Sequence, residues 1–180
     1  MHPAAHLLAR LDAVEALRED LLGAVRPLDT DLLQVRPEPT SWSLVEIIEH
    51  LVRAEETVLG PDGVGVAGAA RAGPGSRILY GVVWAILRLR IPVQVPATEM
   101  RPTGEAGLDD LTEEWRARHR GLRRYLDGLD AEGLRRPVFA HPVIGSLRPR
   151  EALVLGEIHL RRHQGQLHRT RAAVLRDAAT

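Results

Sequence analysis

Residues 150–175 read REALVLGEIHLRRHQGQLHRTRAAVL. Drawn as a wheel at about 100° per residue, this stretch gathers Leu155, Leu160, Leu167 and Val174 on one side. Arg161, Gln164, Arg169 and Arg171 fall on or toward the other. The period predicts a long amphipathic helix whose apolar side packs against other elements. His159 and His163 lie within that apolar side, one turn apart. A polar pair on a face that loses water needs compensating partners. Imidazoles at i and i+4 point the same way, so shared ligation of a metal ion is one such compensation. His168 falls on the polar side and is expected in solvent. Gln166 returns to the histidine face one turn below His163, where it is a candidate to accept the second N–H of a ligating imidazole.

Three further long helices can be read upstream. Over Ala4–Val25, Leu7, Leu11, Val14, Leu17, Leu21 and Val25 recur at intervals of three and four, and Pro27 stands where that helix should stop. Ser43 and Glu46 form a capping box, with Trp42 and Ile47 placed as its hydrophobic staple, so a second helix is predicted from Leu44 to Leu59. A third runs over Leu108–Leu126 on the stripe Leu108, Leu111, Trp115, Leu122 and Leu126. Residues 60–76 hold six glycines and two prolines without periodicity and are expected to form a loop. A short apolar helix is predicted over Arg77–Leu89, with irregular chain around Pro92, Pro96 and Pro102 after it. Residues 130–149 are expected to be another loop. Four long amphipathic helices imply an all-α four-helix bundle. In this reading, residues 1–180 form a single domain, and 60–107 form a loop-rich crossover with a short helix between the second and third long helices.

Composition narrows the function. The 24 basic residues, all arginine, balance 24 acidic ones, so the charge gives no footprint for nucleic acid. There is no cysteine, which excludes disulfides, thiolate metal sites and a cysteine nucleophile. The N-terminal stretch lacks the pattern of a signal peptide, and the apolar run Ile78–Leu87 is far shorter than the about 20 residues a bilayer requires. A cytoplasmic protein that does not enter membranes is the expectation. The run Ile78–Leu87 is expected to be a core or dimer helix. Arg116, Arg118, Arg120, Arg123 and Arg124 are expected on a solvated face, near Glu113 and Glu114.

The remaining histidines sort by position. His50 lies between Ile47 and Leu51, beside the apolar stripe of the second helix, and is the candidate third ligand; bundles build metal sites from inward side chains on facing helices. His119 follows Trp115 by one turn on the third helix's apolar stripe. A fourth ligand, a group supporting the ligands and a buried neutral imidazole are all compatible with that position. His141 precedes a proline in a loop that can line the bundle mouth. His2 and His6 share i,i+4 spacing, but at a terminus expected to fray.

The run SWSLVEIIEHL (41–51), followed about a hundred residues later by HPVIGSLRPREALVLGEIHLRRHQGQ (141–166), resembles the DinB/YfiT-like metal-binding four-helix superfamily. The likeness rests on Trp-Ser-x-x-Glu-x-x-x-His-Leu at the second helix and His-x-x-x-His in the last. It covers most of the chain except roughly 60–107. It implies a divalent metal held by His50, His159 and His163; His119 and Gln166 are candidate supporting groups by their positions on the helix faces. It also implies a homodimer, and a metal-dependent thiol S-transferase or hydrolase acting on a small molecule. Three neutral imidazoles suit Zn, Ni, Fe or Cu and leave at least one open position. Such a centre acidifies water or a thiol. With no cysteine in the chain, the thiol would be a low-molecular-weight cosubstrate. The alternative is a non-catalytic dimeric helical bundle whose histidines are structural.

Overall fold

The computed structural model describes residues 2–65, 76–89, 91 and 97–179. Its long helices are α1 (Ala5–Val25), α3 (Leu44–Leu59), α5 (Leu108–Asp127) and α6 (Pro149–Asp177). Two shorter helices, α2 (Thr30–Gln34) and α4 (Ser76–Arg88), complete the helical set among the described residues, apart from single 3-10 turns at Thr98–Met100 and Gly133–Arg135. The chain is therefore all-α in character, and the long helices form a ring: α1 packs on α6 and α5, and α3 packs on α5 and α6. The expected four-helix bundle is present, and the segment between α3 and α5 carries the expected short helix α4. The loop expected over 60–76 lies largely outside the described residues, as do Pro92 and Pro96.

Local chemistry explains why α3 begins where it does. Ser43 accepts the Glu46 N–H, and the Glu46 carboxylate accepts the Ser43 N–H at 2.8 Å, which closes the capping box. Arg36 adds an ion pair to the same carboxylate. At α6, Pro149 occupies the first turn, where its missing N–H is tolerated, and Glu151 accepts the Arg148 N–H at 2.8 Å.

Apolar burial divides into two clusters. One gathers Leu21, Leu22, Leu44, Ile47, Leu51, Trp115, Leu160 and Leu167. The other gathers Leu7, Leu11, Leu59, Leu122, Phe139, Leu153 and Leu155. The chain leaving α3 passes tightly over α5: a Cβ on Gly121 would meet the Asp62 carbonyl oxygen at 1.9 Å, so a side chain there would push this crossing apart.

Three expectations need correction. Residues 130–149 are not all loop: β1 (Phe139–His141) and β2 (Gly145–Leu147) pair antiparallel, with Phe139 opposite Leu147 and His141 opposite Gly145. Gly145 at φ 84° supplies the left-handed conformation the connection uses. Of the two readings of Ile78–Leu87, core or dimer helix, the first does not hold, since no residue of α4 is buried. It lies on α6, with Tyr80, Val83 and Leu87 packed inward and Ile78 and Val82 exposed. Arg118 does not lie on a solvated face. It is 1% exposed, donates to the Val52 carbonyl at 3.2 Å and pairs with Glu114 at 2.6 Å. Its neighbours Arg116 and Arg123 bind Glu19 and Asp12 and so tie α5 to α1.

Candidate metal centre

Helix α3 contributes His50 and helix α6 contributes His159 and His163, which the i,i+4 spacing places side by side. The ring centroids of His159 and His163 are 4.6 Å apart, and His50 lies 4.8 Å from His163 and 5.2 Å from His159. One nitrogen from each can be chosen so that all three lie within 4.8 Å of one another. The bundle brings together the three residues that the sequence singled out.

The orientation of each ring shows which nitrogen is available. His50 Nδ1 is 2.7 Å from the Met100 carbonyl oxygen. A carbonyl only accepts, so Nδ1 carries the proton and Nε2 keeps its lone pair. His163 Nδ1 donates in the same way to Gln166 Oε1 at 2.8 Å, which leaves its Nε2 bare. Gln166 thus sits where the wheel placed it, one turn from His163 and bonded to it. His50 Nε2 and His159 Nε2 approach to 3.3 Å. Two nitrogens bound to one tetrahedral zinc at about 2.0–2.1 Å would lie about 3.3 Å apart. The donor set suits a divalent ion, and the His50–His159 spacing matches two ligands of a tetrahedral one.

Electrostatics agree with that geometry. Burial, above all, holds His163 down at about 3 and His159 well below the ordinary imidazole range; their charged neighbours, Arg162 among them, add to the effect. Burial also lowers His50, although its bond to Met100 works the other way. Neutral imidazoles are the form that ligates a metal. Trp42 covers the cluster, with its ring 4.8 Å from His50 and stacked at 6.4 Å on His163.

A cavity of about 950 Å³ opens beside the three histidines, within the size range of small-molecule sites. The family model of the DinB superfamily matches residues 13–167. The chain belongs to the DinB superfamily. No curated protein and no solved structure matches the chain. The superfamily is metal-binding, and His50, His159 and His163 form a cluster that could hold the ion.

Other residues shape this DinB-superfamily site. Glu49 is fully buried beside His50 on the chain. Its carboxylate accepts the N–H groups of Thr103 and Gly104, the latter at 2.8 Å, and pairs with Arg53 at 2.8 Å. Burial would raise its pKa, but these donors hold it below the ordinary carboxylate range. This clamp fastens the 98–104 segment to α3 and so fixes the Met100 carbonyl against His50. Arg162 lines the cavity and donates to the carbonyls of Ile86 at 3.4 Å and Ile91 at 2.9 Å, the first of which ties α4 to α6. His141 also lines the cavity. Its Nδ1 accepts from the Val143 N–H at 3.1 Å, and burial pushes it down to about 4. His119 is buried on α5 and bonds Glu55 of α3 at 2.8 Å. His168 is exposed, as expected. His2 Nε2 lies 2.9 Å from the Asp127 carbonyl oxygen.

Glu49 and Glu55 were passed over in the sequence, although each left a trace there. Both are carboxylates at buried positions of α3, and such groups require donors. Met100 acts through its backbone and leaves no side-chain signal at all. No described helix is long and apolar enough to cross a membrane.

Proposed function

We propose that this chain is a divalent-metal enzyme whose ion is held by His50, His159 and His163, and that it transfers a small thiol to an electrophile or hydrolyses a small-molecule substrate. The observation that carries this reading is the convergence of bare imidazole nitrogens at the wall of a cavity large enough for a small molecule. What a divalent ion would supply there is a Lewis-acidic open position that lowers the pKa of a thiol or a water.

The protein's own residues do the rest. Met100 and Gln166 fix two of the ring tautomers and aim the lone pairs inward. Trp42 shields one side of the cluster from water. Arg162, through its positive charge near the cluster, favours an anionic group on the substrate or on the nucleophile. The absence of cysteine assigns any thiol to a cosubstrate. In this reading the enzyme is a cytoplasmic homodimer, and zinc, nickel and iron are all compatible with its three imidazoles.

The test is metal content with turnover. Gently purified protein should hold about one divalent ion per chain, and His50→Ala, His159→Ala and His163→Ala should each lose it. Stoichiometric metal persisting in all three variants would sink the ligand assignment. Metal-loaded protein with no turnover across a panel of electrophiles with thiols, and of hydrolysable esters and amides, would leave a non-catalytic metal-binding bundle.

A further inference from the structure

The face of α6 that carries the histidines has a gap in it. Ala152, Gly156, His159, His163 and Gln166 recur at intervals of three and four, and all of them line the cavity. They form one stripe along the helix. Gly156 stands in that stripe one turn before His159, about 4.5 Å away along the helix axis. A Cβ built on it would meet nothing within 4 Å. Its neighbours in the stripe, before and after, face the cavity, so the open space in front of Gly156 belongs to the cavity too.

Glycine is costly in the interior of a helix, where only proline is worse. Close approach of another element is one reason to keep it. That reason holds for Gly121, where a Cβ would strike the Asp62 carbonyl, and it fails for Gly156. Gly23 and Gly81 are open as well, but both are exposed. At Gly156 the missing side chain leaves room beside the histidines. The wall next to it is apolar: Ala152, Leu153 and Leu155 of α6 cluster with Val83 and Leu87 of α4, and all five line the cavity. Val83 and Leu87 are only half-buried, so apolar surface remains there that the protein's own side chains do not cover.

We infer that Gly156 is the specificity-determining position of this cavity: it keeps open the passage by which the apolar arm of a ligand runs from the three histidines to the wall made with α4. A side chain at this position would stand in that passage. The inference rests on the reading of the cavity as the substrate site of the proposed enzyme. It gives that substrate a chemical class: a polar head that binds at the histidine cluster, and an apolar arm of several carbons that lies over Gly156. Burial of the arm against Val83, Leu87 and Leu153 supplies affinity in proportion to its length.

Acetohydroxamate and octanohydroxamate test it, since they share a zinc-binding head and differ only in the length of the alkyl chain. On zinc-loaded protein the longer probe should bind about a hundredfold tighter or more, because each buried methylene is worth about fourfold. Gly156→Leu fills the passage and should lower that affinity ratio about tenfold or more. Gly156→Ala should lower it about twofold and raise the thermal unfolding midpoint by about 3 °C, since nothing packs against the glycine. A ratio near one in the unchanged chain, an unchanged ratio in Gly156→Leu, or a lowered midpoint in Gly156→Ala overturns the inference. If Gly156→Leu does not fold, the unchanged chain decides: the α-protons of Gly156 should show a nuclear Overhauser contact to the octyl chain, and its absence overturns the inference. If neither hydroxamate binds through zinc, the metal reading fails on its own, and 1-octanol on chelator-stripped protein decides the role of Gly156. Octanol should then bind the unchanged chain about tenfold tighter than Gly156→Leu, and equal affinities overturn the inference.

Discussion

His163 and His119 are both buried imidazoles on the wall of one cavity, yet different groups stand behind them. His163 backs onto the neutral oxygen of Gln166, and its partner His50 backs onto a backbone carbonyl. His119 backs onto the carboxylate of Glu55. A neutral acceptor fixes a tautomer without adding charge, so the cluster of three presents lone pairs to a cation. A carboxylate fixes the tautomer and adds a negative charge, and at His119 that bond ties α5 to α3. His163 and His119 both fall in the buried interior, so burial alone does not separate them. The group behind the ring assigns the role, together with the number of rings that converge.

The largest effect should come from breaking the convergence. His159→Ala removes the ring that approaches His50 and should reduce bound zinc from about one equivalent to a trace, read by elemental analysis after dialysis against a weak chelator. His119→Ala should retain its zinc under the same dialysis. Equal losses in the two variants would erase the distinction drawn between the two ends of the cavity. Next in size is Glu55→Ala. It strands a buried imidazole and a buried indole N–H at once and should destabilise the metal-free protein by about 3 kcal/mol in urea unfolding. A cost below about 1 kcal/mol would mean that water replaces the carboxylate and that this end of the cavity is wetter than its burial implies.

How much of this was legible in the sequence depended on range. Helices α1, α3, α5 and α6 announce themselves because their apolar residues repeat over several turns, and Ser43 with Glu46 marks the start of α3 by local chemistry. The three-histidine cluster was legible for a related reason: His159 and His163 are polar residues on an apolar stripe, and His50 lies beside another. Short elements were not legible. Thr30–Gln34 has too few residues to show a period, and strands of three residues show no alternation. Arg118 was misread because a charge run looks solvated when only its own helix is considered, whereas its guanidinium reaches across to Val52. The pairing of Glu55 with His119 needs the register of α3 against α5, which no pattern within either helix contains.

A smaller effect sharpens the account of the metal end. Gln166→Ala removes the acceptor behind His163 and leaves all three rings in place. Groups that orient a ligand are worth about 10–100-fold in metal affinity, so zinc should bind that much more weakly in a competition titration. Gln166→Asn, one methylene shorter, should recover little of the loss. An affinity equal to that of the unchanged chain would show that His163 is held by packing against Trp42 alone and that its hydrogen bond contributes nothing to its aim.

The smallest expected effect is the control for the whole comparison. Helix α3 carries both His50 and Glu55, so it serves the two ends of the cavity from one rigid element. Ser43→Ala opens the capping box at its first turn, where Trp42 and Glu46 line the cavity although Ser43 does not, and should cost about 1 kcal/mol in unfolding free energy. Zinc affinity should remain as it is, because His50 lies two turns beyond the cap and keeps its place once α3 is formed. A weaker zinc affinity in this variant would mean that the first turn of α3 positions His50, and that the helix shifts as a body when its cap is opened.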